Sequence, residues 1–207
     1  MILRNLIKSN NANLMPNLEW LKYLWQLFRY LLGMIEKRLP LSLGKQDFIT
    51  SLFFNPKATK CPAIFITPVL GSNFMLEKFL ARRLVQKGYA VFVTSFMTKA
   101  PFSKMIENLD VHEEAYCNSI EGIKKLINLT SKIDFIDSNN IALLGMSLGG
   151  IFTSINCCLH NSRIKASVII AGGGGNDLIL SQSKSPIIQK LKEERIKKLN
   201  ICEEEYK

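Results

Sequence analysis

Residues 139–160 read NNIALLGMSLGGIFTSINCCLH and hold a G-x-S-x-G motif, GMSLG, at 145–149. The short apolar run 141–144 before the motif is typical of a buried strand. The small and apolar residues 150–160 after it favour a buried helix. Strand, tight turn and helix form the context in which this motif presents an exposed serine hydroxyl. We therefore predict that Ser147 has a strained backbone with φ above zero and faces a crevice at the carboxyl ends of the strands.

The residues around Ser147 have separate predicted roles. Gly145 and Gly149 stand where a Cβ would collide, because the strand and the helix nearly touch there. The backbone N–H of Leu148 opens the helix and can donate to a developing oxyanion. The alternative is a glycine-rich turn whose serine merely caps the helix.

The flanking sequence predicts an α/β fold with a mainly parallel sheet flanked by helices. The predicted strands are 48–54, 62–67, 89–95, 140–145 and 164–171, and helices are predicted at 74–87 and 111–132, the second capped by Asp110. Short, fully apolar runs separated by helices require crossovers, which are right-handed. We therefore expect the last four strands to be buried and parallel, with 62–67 between 89–95 and 140–145.

Composition limits the class of protein. The chain has 207 residues, 47% of them hydrophobic, which is enough for one domain with a sizeable core. Its five cysteines are odd in number and lack metal-ligand spacing, so we expect a reduced, cytoplasmic protein with no metal. The glycine run 172–175 lacks the G-x-G-x-x-G spacing of a dinucleotide site, so we read it as a tight turn at the sheet edge and expect no cofactor. The net charge of +10 permits attraction to membranes or nucleic acid, but it also fits a lysine-rich solvated surface. The lysines are not interleaved with aromatic residues, so nucleic acid is not an expected partner.

The N-terminal residues 1–45 are predicted to form an amphipathic helical segment, with one helix over 16–38 that ends before Pro40. Lys22 and Arg29 argue against a membrane span. Two readings stay open: the helix packs on the domain as a lid, or it lies at the inner membrane face with Trp20 and other aromatic residues as anchors. The core is then 46–183, and 184–207 is a charged helical tail.

The chain resembles the α/β-hydrolase superfamily, most closely its esterase, lysophospholipase and peptidase-like branches. The resemblance rests on ITPVLGSN at 66–73, RRLVQKGYAVFVTSF at 82–96 and NNIALLGMSLGGI at 139–151. The strand that ends in AGGG at 171–174 agrees with it. The resemblance implies a serine hydrolase that acts on a carboxylic ester or amide, on a small-molecule or lipid-like substrate. By the same match Val69 is the second oxyanion donor, although Thr67-Pro68-Val69 replaces the usual His-Gly.

The rest of a catalytic triad is not identified. In the resembling fold an acid and then a histidine follow the serine, but the chain has two histidines. His112 precedes the serine, and His160 follows it on the same predicted helix, about 20 Å along. Asp177, at the end of the last predicted strand, is an acid only in rarer arrangements. The resembling families continue with two further strands, so we expect a C-terminally incomplete fold; the alternative function is a non-catalytic remnant or a membrane-associated binding protein.

Overall fold

A computed structural model describes residues 33–43, 46–69, 72–94, 108–159, 162–172 and 181–205. Its strands are β1 (Ile35–Leu43), β2 (Gln46–Phe54), β3 (Cys61–Thr67), β4 (Ala90–Val93), β5 (Ile136–Met146) and β6 (Ile164–Ile170). Its helices are α1 (Met75–Gln86), α2 (Leu109–Thr130), α3 (Leu148–Leu159) and α4 (Pro186–Leu199). The alternation of strand and helix from β3 onward is that of an α/β fold.

The strands form one sheet in the order β1-β2-β4-β3-β5-β6. The four strands from β3 to β6 are parallel, whereas β1 pairs with β2 and β2 with β4 in antiparallel fashion. The predicted order is therefore confirmed, with β3 between β4 and β5. The parallel pairs are joined through helices because a parallel connection must cross over the sheet.

Two apolar clusters lie on opposite faces of the sheet. Alternate residues of β3 divide between them: Phe65 belongs to one cluster, and Ile64 and Ile66 belong to the other. This division follows from the two-residue period of a strand. The first cluster includes Ile123 of α2 and the second includes Ala81 of α1, so the helices cover both faces.

The prediction of a helix over 16–38 is wrong for its last residues, because residues 35–43 form β1. Apolar residues recur at every second position from Leu39 to Leu43, which suits a strand with one buried face. Pro40 is tolerated because β1 is an edge strand that pairs with β2 alone. The sheet thus begins inside the predicted segment 1–45. Residues 16–32 of the predicted helix lie outside the described residues.

Two other predictions need correction. Strand β6 is not buried: Val168, Ile169 and Ile170 are 51%, 42% and 46% exposed. The reason is its place at the end of the sheet, with β5 as its paired strand. Helix α2 is capped by Asn108, whose side chain accepts from the backbone N–H groups of the next turn, and not by Asp110.

The predicted charged tail contains α4, which is anchored to the rest of the protein. Leu191 is buried, and within the tail itself the ammonium group of Lys192 lies 2.5 Å from a carboxylate oxygen of Glu203. Lys198 forms an ion pair with Asp110 at the start of α2. Helix α4 therefore lies close to the first turn of α2.

Candidate active site

Ser147 occupies the turn between β5 and α3. Its φ of 52° lies in the left-handed region, and the residue is exposed. One residue separates Met146, the last residue of β5, from Leu148, the first of α3. A non-glycine residue in this region costs about 1–2 kcal/mol, so the surrounding structure must hold it there. The strained turn predicted from the motif is confirmed.

Backbone hydrogen bonds hold Ser147 on both sides. Its N–H donates to the carbonyl of Ile170 at 2.8 Å, which ties the turn to the end of β6. Its own carbonyl accepts from the N–H of Gly150 at 2.8 Å and from that of Ile151 at 3.3 Å. These bonds engage the backbone and leave the side chain exposed at the carboxyl edge of the sheet.

A Cβ on either motif glycine would collide, for Gly145 between β5 and α3 as predicted and for Gly149 with the end of β3. A Cβ on Gly145 would lie 2.2 Å from both the carbonyl oxygen of Gly149 and the hydroxyl of Thr153. A Cβ on Gly149 would lie 2.2 Å from the carbonyl oxygen of Thr67. Real Cβ atoms do not approach backbone atoms this closely, so β5, α3 and the end of β3 meet without room for a methyl group.

Sequence reasoning missed a second close approach, between Gly150 and Gly172. A Cβ on Gly172 would lie 2.8 Å from the Cα of Gly150 and 2.9 Å from the Ser147 carbonyl oxygen. The signal was present in the doubled glycine at 149–150 and in Gly172, two residues after the end of β6. We read the glycines from 172 onward as a sheet-edge turn, whereas the first of them lies against the serine turn.

The two predicted oxyanion donors lie on neighbouring elements. Leu148 is the first residue of α3, and the first amides of a helix have no intrahelical carbonyl to bind. Val69 follows β3, and Thr67 at the end of β3 is the register partner of Gly145. Because Gly149 also lies against the Thr67 carbonyl, the loop of Val69 and the serine turn are neighbours at one edge of the sheet.

A hydrogen-bonded chain supports the loop after Val69. The Val69 carbonyl accepts from the N–H of Ser72 at 3.2 Å. The Ser72 hydroxyl donates to a carboxylate oxygen of Glu77 at 2.8 Å and accepts from the N–H of Phe74 at 2.9 Å. Glu77 is 1% exposed. This buried carboxylate therefore fixes the turn that leads from Val69 into α1.

The first turns of α2 pack beside the serine turn. Phe152 of α3 and Ala115 of α2 are fully buried, and Leu148 packs against them together with Tyr116. The rings of Tyr116 and Phe152 meet edge to face, with centroids 4.9 Å apart. Burial raises the pKa of the Tyr116 phenol above its usual value, and the charge of Arg195 opposes this shift.

The candidate base and acid fall outside what the structure describes. His160 and Asp177 are not among the described residues, and the same holds for the side chain of His112, although its backbone lies in α2. The structure thus brings Ser147, Leu148 and the loop of Val69 together and leaves the triad partners without a described position.

Other features of the described part of the chain lie away from Ser147. A cavity of about 310 Å³ opens beside Pro62, Asn140 and Lys165, towards the amino ends of the strands and thus opposite the serine. Over the described ranges, no group of histidine, cysteine, aspartate or glutamate side chains could hold a metal ion. None of the described helices has the length and apolar character that a bilayer span requires.

Comparison with known proteins gives a family match. The model of the dienelactone hydrolase family matches residues 49–198, which is more than half of the chain. No curated protein sequence matches the chain.

Solved structures agree in fold. A candidate dienelactone hydrolase from Klebsiella pneumoniae superimposes with a TM-score of 0.55 at 15% identity, over 67% of this chain and 60% of that one. A dienelactone hydrolase from Anabaena variabilis superimposes with a TM-score of 0.55 at 14% identity, over 78% of this chain and 80% of that one. A dienelactone hydrolase-like promiscuous phosphotriesterase from metagenomic libraries also has a TM-score of 0.55, at 14% identity, over 82% of this chain and 79% of that one. At these identities the likeness concerns the fold, and the chain spans three fifths of the first of these structures.

Proposed function

The chain belongs to the dienelactone hydrolase family, and from this premise we propose that it is a serine hydrolase that cleaves carboxylic esters through an acyl-enzyme at Ser147. The observation that carries the proposal is the backbone of Ser147, held at a φ of 52° with the residue exposed between β5 and α3. Strain of this size persists only where the surroundings enforce it, and it concentrates at functional sites. A serine that merely capped α3 would have the extended backbone usual for a cap.

In the proposed reaction the Ser147 hydroxyl oxygen attacks the ester carbonyl carbon, and the carbonyl oxygen becomes an oxyanion. The N–H groups of Leu148 and Val69 donate to that oxyanion, which is the interaction that lowers the barrier. Collapse of the tetrahedral intermediate expels the alcohol and leaves an acyl-serine, which water then hydrolyses. A general base must accept the serine proton in the first step and return it to the leaving alcohol.

The substrate class proposed is a small-molecule or lipid-like ester. The proposal follows from the family and from the exposed serine, which a substrate can reach from solvent. Contact of residues 16–32, the part of the predicted helix outside the described residues, with the inner membrane face remains a separate proposal. Its test is whether deletion of these residues, which leaves β1 intact, changes sedimentation with vesicles.

A second candidate is a non-catalytic α/β-hydrolase-like binding protein. The order of residues along the chain favours it, since neither histidine lies on a strand after β6. An unassisted serine hydroxyl is a poor nucleophile, and loss of a triad member leaves about 10³–10⁴-fold catalysis over water from the oxyanion hole and binding. The two candidate functions therefore predict different rates of ester hydrolysis for the same fold.

Hydrolysis of p-nitrophenyl acetate and butyrate tests the proposal. We expect slow turnover that disappears in Ser147→Ala and persists in Ser154→Ala. The control variant removes the hydroxyl of Ser154, a half-buried residue of α3 that donates to the Gly150 carbonyl. Because α2 packs beside Leu148, His112→Ala is the first variant to assay for the missing base. Turnover that is equal in wild type and Ser147→Ala would overturn the proposal.

A further inference from the structure

Helix α1 carries an exposed apolar surface on its outward side. Met75, Leu76 and Phe79 are 72%, 54% and 51% exposed, and they occupy the first turn and a half of the helix. Arg83 follows on the same side, with its guanidinium 5.4 Å from the centre of the Phe79 ring, and exposed Lys87 comes next. We call these five residues the α1 patch.

The rotation of α1 is fixed by its inward side, so the exposure of the patch is built into the fold. Glu77, Ala81 and Val85 recur every four residues and are buried against the sheet. This spacing places one face of a helix against the core and turns the residues between them outward. The outward residues are apolar at the N-terminal end of α1 and basic at its C-terminal end.

The charge of the patch has one sign. Glu77, the one acidic residue of α1, is 1% exposed and accepts a hydrogen bond from Ser72. Lys78 is neutralised by Glu36, whose carboxylate lies 3.4 Å away. The exposed charges on this side of the helix are therefore those of Arg83 and Lys87, in a chain whose net charge is +10.

The apolar end of the patch lies at the same edge of the sheet as Ser147. Helix α1 begins where the loop after β3 ends, and β3 and β5 run parallel, with Thr67 opposite Gly145. The first turn of α1 and the serine turn thus share the carboxyl edge, with the Val69 loop between them. A surface bound to Met75 and Leu76 would face the edge on which Ser147 is exposed.

We propose that the α1 patch docks onto an anionic lipid surface. The exposed apolar side chains enter the boundary between headgroups and acyl chains, while Arg83 and Lys87 contact anionic headgroups. The complementarity of charge selects this partner over a neutral apolar one. The docking does not depend on catalysis, so Ser147→Ala is expected to bind as the wild type does.

Co-sedimentation of the full chain with vesicles tests the proposal. We expect binding to vesicles of phosphatidylglycerol and phosphatidylcholine, and weak binding to phosphatidylcholine alone. Leu76→Ser with Phe79→Ser should weaken binding by at least tenfold, because each side chain loses its apolar contact. Arg83→Gln with Lys87→Gln should weaken it by about fivefold per charge, and 1 M salt should mimic this change.

Matched controls separate the patch from general surface effects. Leu199→Ser removes an equally exposed leucine from α4, and Lys124→Gln with Lys132→Gln removes two exposed charges in and directly after α2, on the opposite face of the sheet from α1. Both should bind as the wild type does, and all variants should melt within a few degrees of it.

Absence of wild-type binding would overturn the proposal, as would equal losses in patch and control variants. Unchanged binding in the patch variants would also overturn it, because the contact would then lie on another part of the chain. Binding to an acidic polypeptide but not to vesicles would assign the patch to a protein partner.

Discussion

At the scale of single residues, the serine turn is the part of the protein that its sequence predicts best. The spacing of Gly145, Ser147 and Gly149 encodes a purely local geometry, in which one residue reverses the chain between a strand and a helix. The positive φ and the contact of Gly145 with Gly149 and Thr153 follow from that local geometry, whereas Gly149 lies against the Thr67 carbonyl of β3. Gly172 was not predicted because its contact with Gly150 joins two distant parts of the chain.

Replacement of Gly145 by alanine should destabilise the protein strongly. The new methyl group would lie 2.2 Å from a backbone carbonyl oxygen that cannot move without shifting α3. The comparison is Gly88→Ala, at a φ of 92° with nothing within 4 Å of its Cβ. The Gly88→Ala control carries only the backbone cost of about 1–2 kcal/mol. We expect Gly145→Ala to lower the free energy of unfolding by about 2–3 kcal/mol more than the control does, because of overpacking. Urea unfolding measures the difference; equal losses would contradict the close approach.

Cys61 should resist alkylation in the folded protein. Burial raises the pKa of its thiol above 9.0, and the thiol donates to the Phe135 carbonyl at 3.4 Å. The thiolate is the reactive form, so iodoacetamide at pH 8 should modify the exposed Cys117, Cys158 and Cys202 first. Because the pKa of the Cys61 thiol is higher in the folded protein than in the unfolded chain, protonation of this thiol favours the folded state. This contribution to the stability of the fold is present below pH 9.0 and declines as the pH rises through the folded pKa. Equal labelling of Cys61 and Cys202, read by mass spectrometry, would contradict the burial of β3.

At the scale of elements, the central strands were predicted correctly, whereas the edge strands were mistaken in part: β6 was expected to be buried, and the start of β1 was expected to be helical. Strands β3 and β4 are short apolar runs because both their faces are covered. Strand β6 has the same apolar composition, but its burial depends on what lies beside it, and the run 164–170 does not encode its neighbours. Strand β1 was taken as helix because its charged residues resemble the end of an amphipathic helix, and its pairing with β2 is a tertiary feature.

The exposed edge at β6 should promote aggregation. An uncovered apolar edge strand offers unpaired backbone groups and side chains to another chain. Val168→Lys places a charge on this strand and should raise the soluble fraction after heating or concentration. Ile49→Lys is the matched control, since Ile49 is 62% exposed but lies on β2, inside the sheet. If light scattering shows the same benefit from both variants, the effect is one of net charge and not of the edge.

At the scale of the whole molecule, the sheet order and family were within reach of the sequence, whereas a complete triad was not. Crossover rules fix the order of parallel strands once the apolar runs are found. A catalytic base is defined by proximity in space, and neither His112 nor His160 can be placed beside Ser147 from its position in the sequence. The proposed activity therefore depends on a nucleophile and its oxyanion donors, and we expect slow chemistry.

The most direct test of this account is mass spectrometry of the full chain after reaction with a fluorophosphonate, which forms a covalent adduct with an activated serine. We expect one adduct, on the peptide that contains Ser147, which forms slowly and is absent in Ser147→Ala. The Ser154→Ala variant should be labelled at the wild-type rate, because the Ser154 hydroxyl that it lacks donates to a helix carbonyl and takes no part in the site. An adduct on another residue, or no adduct after long exposure, would contradict the assignment of Ser147 as a nucleophile.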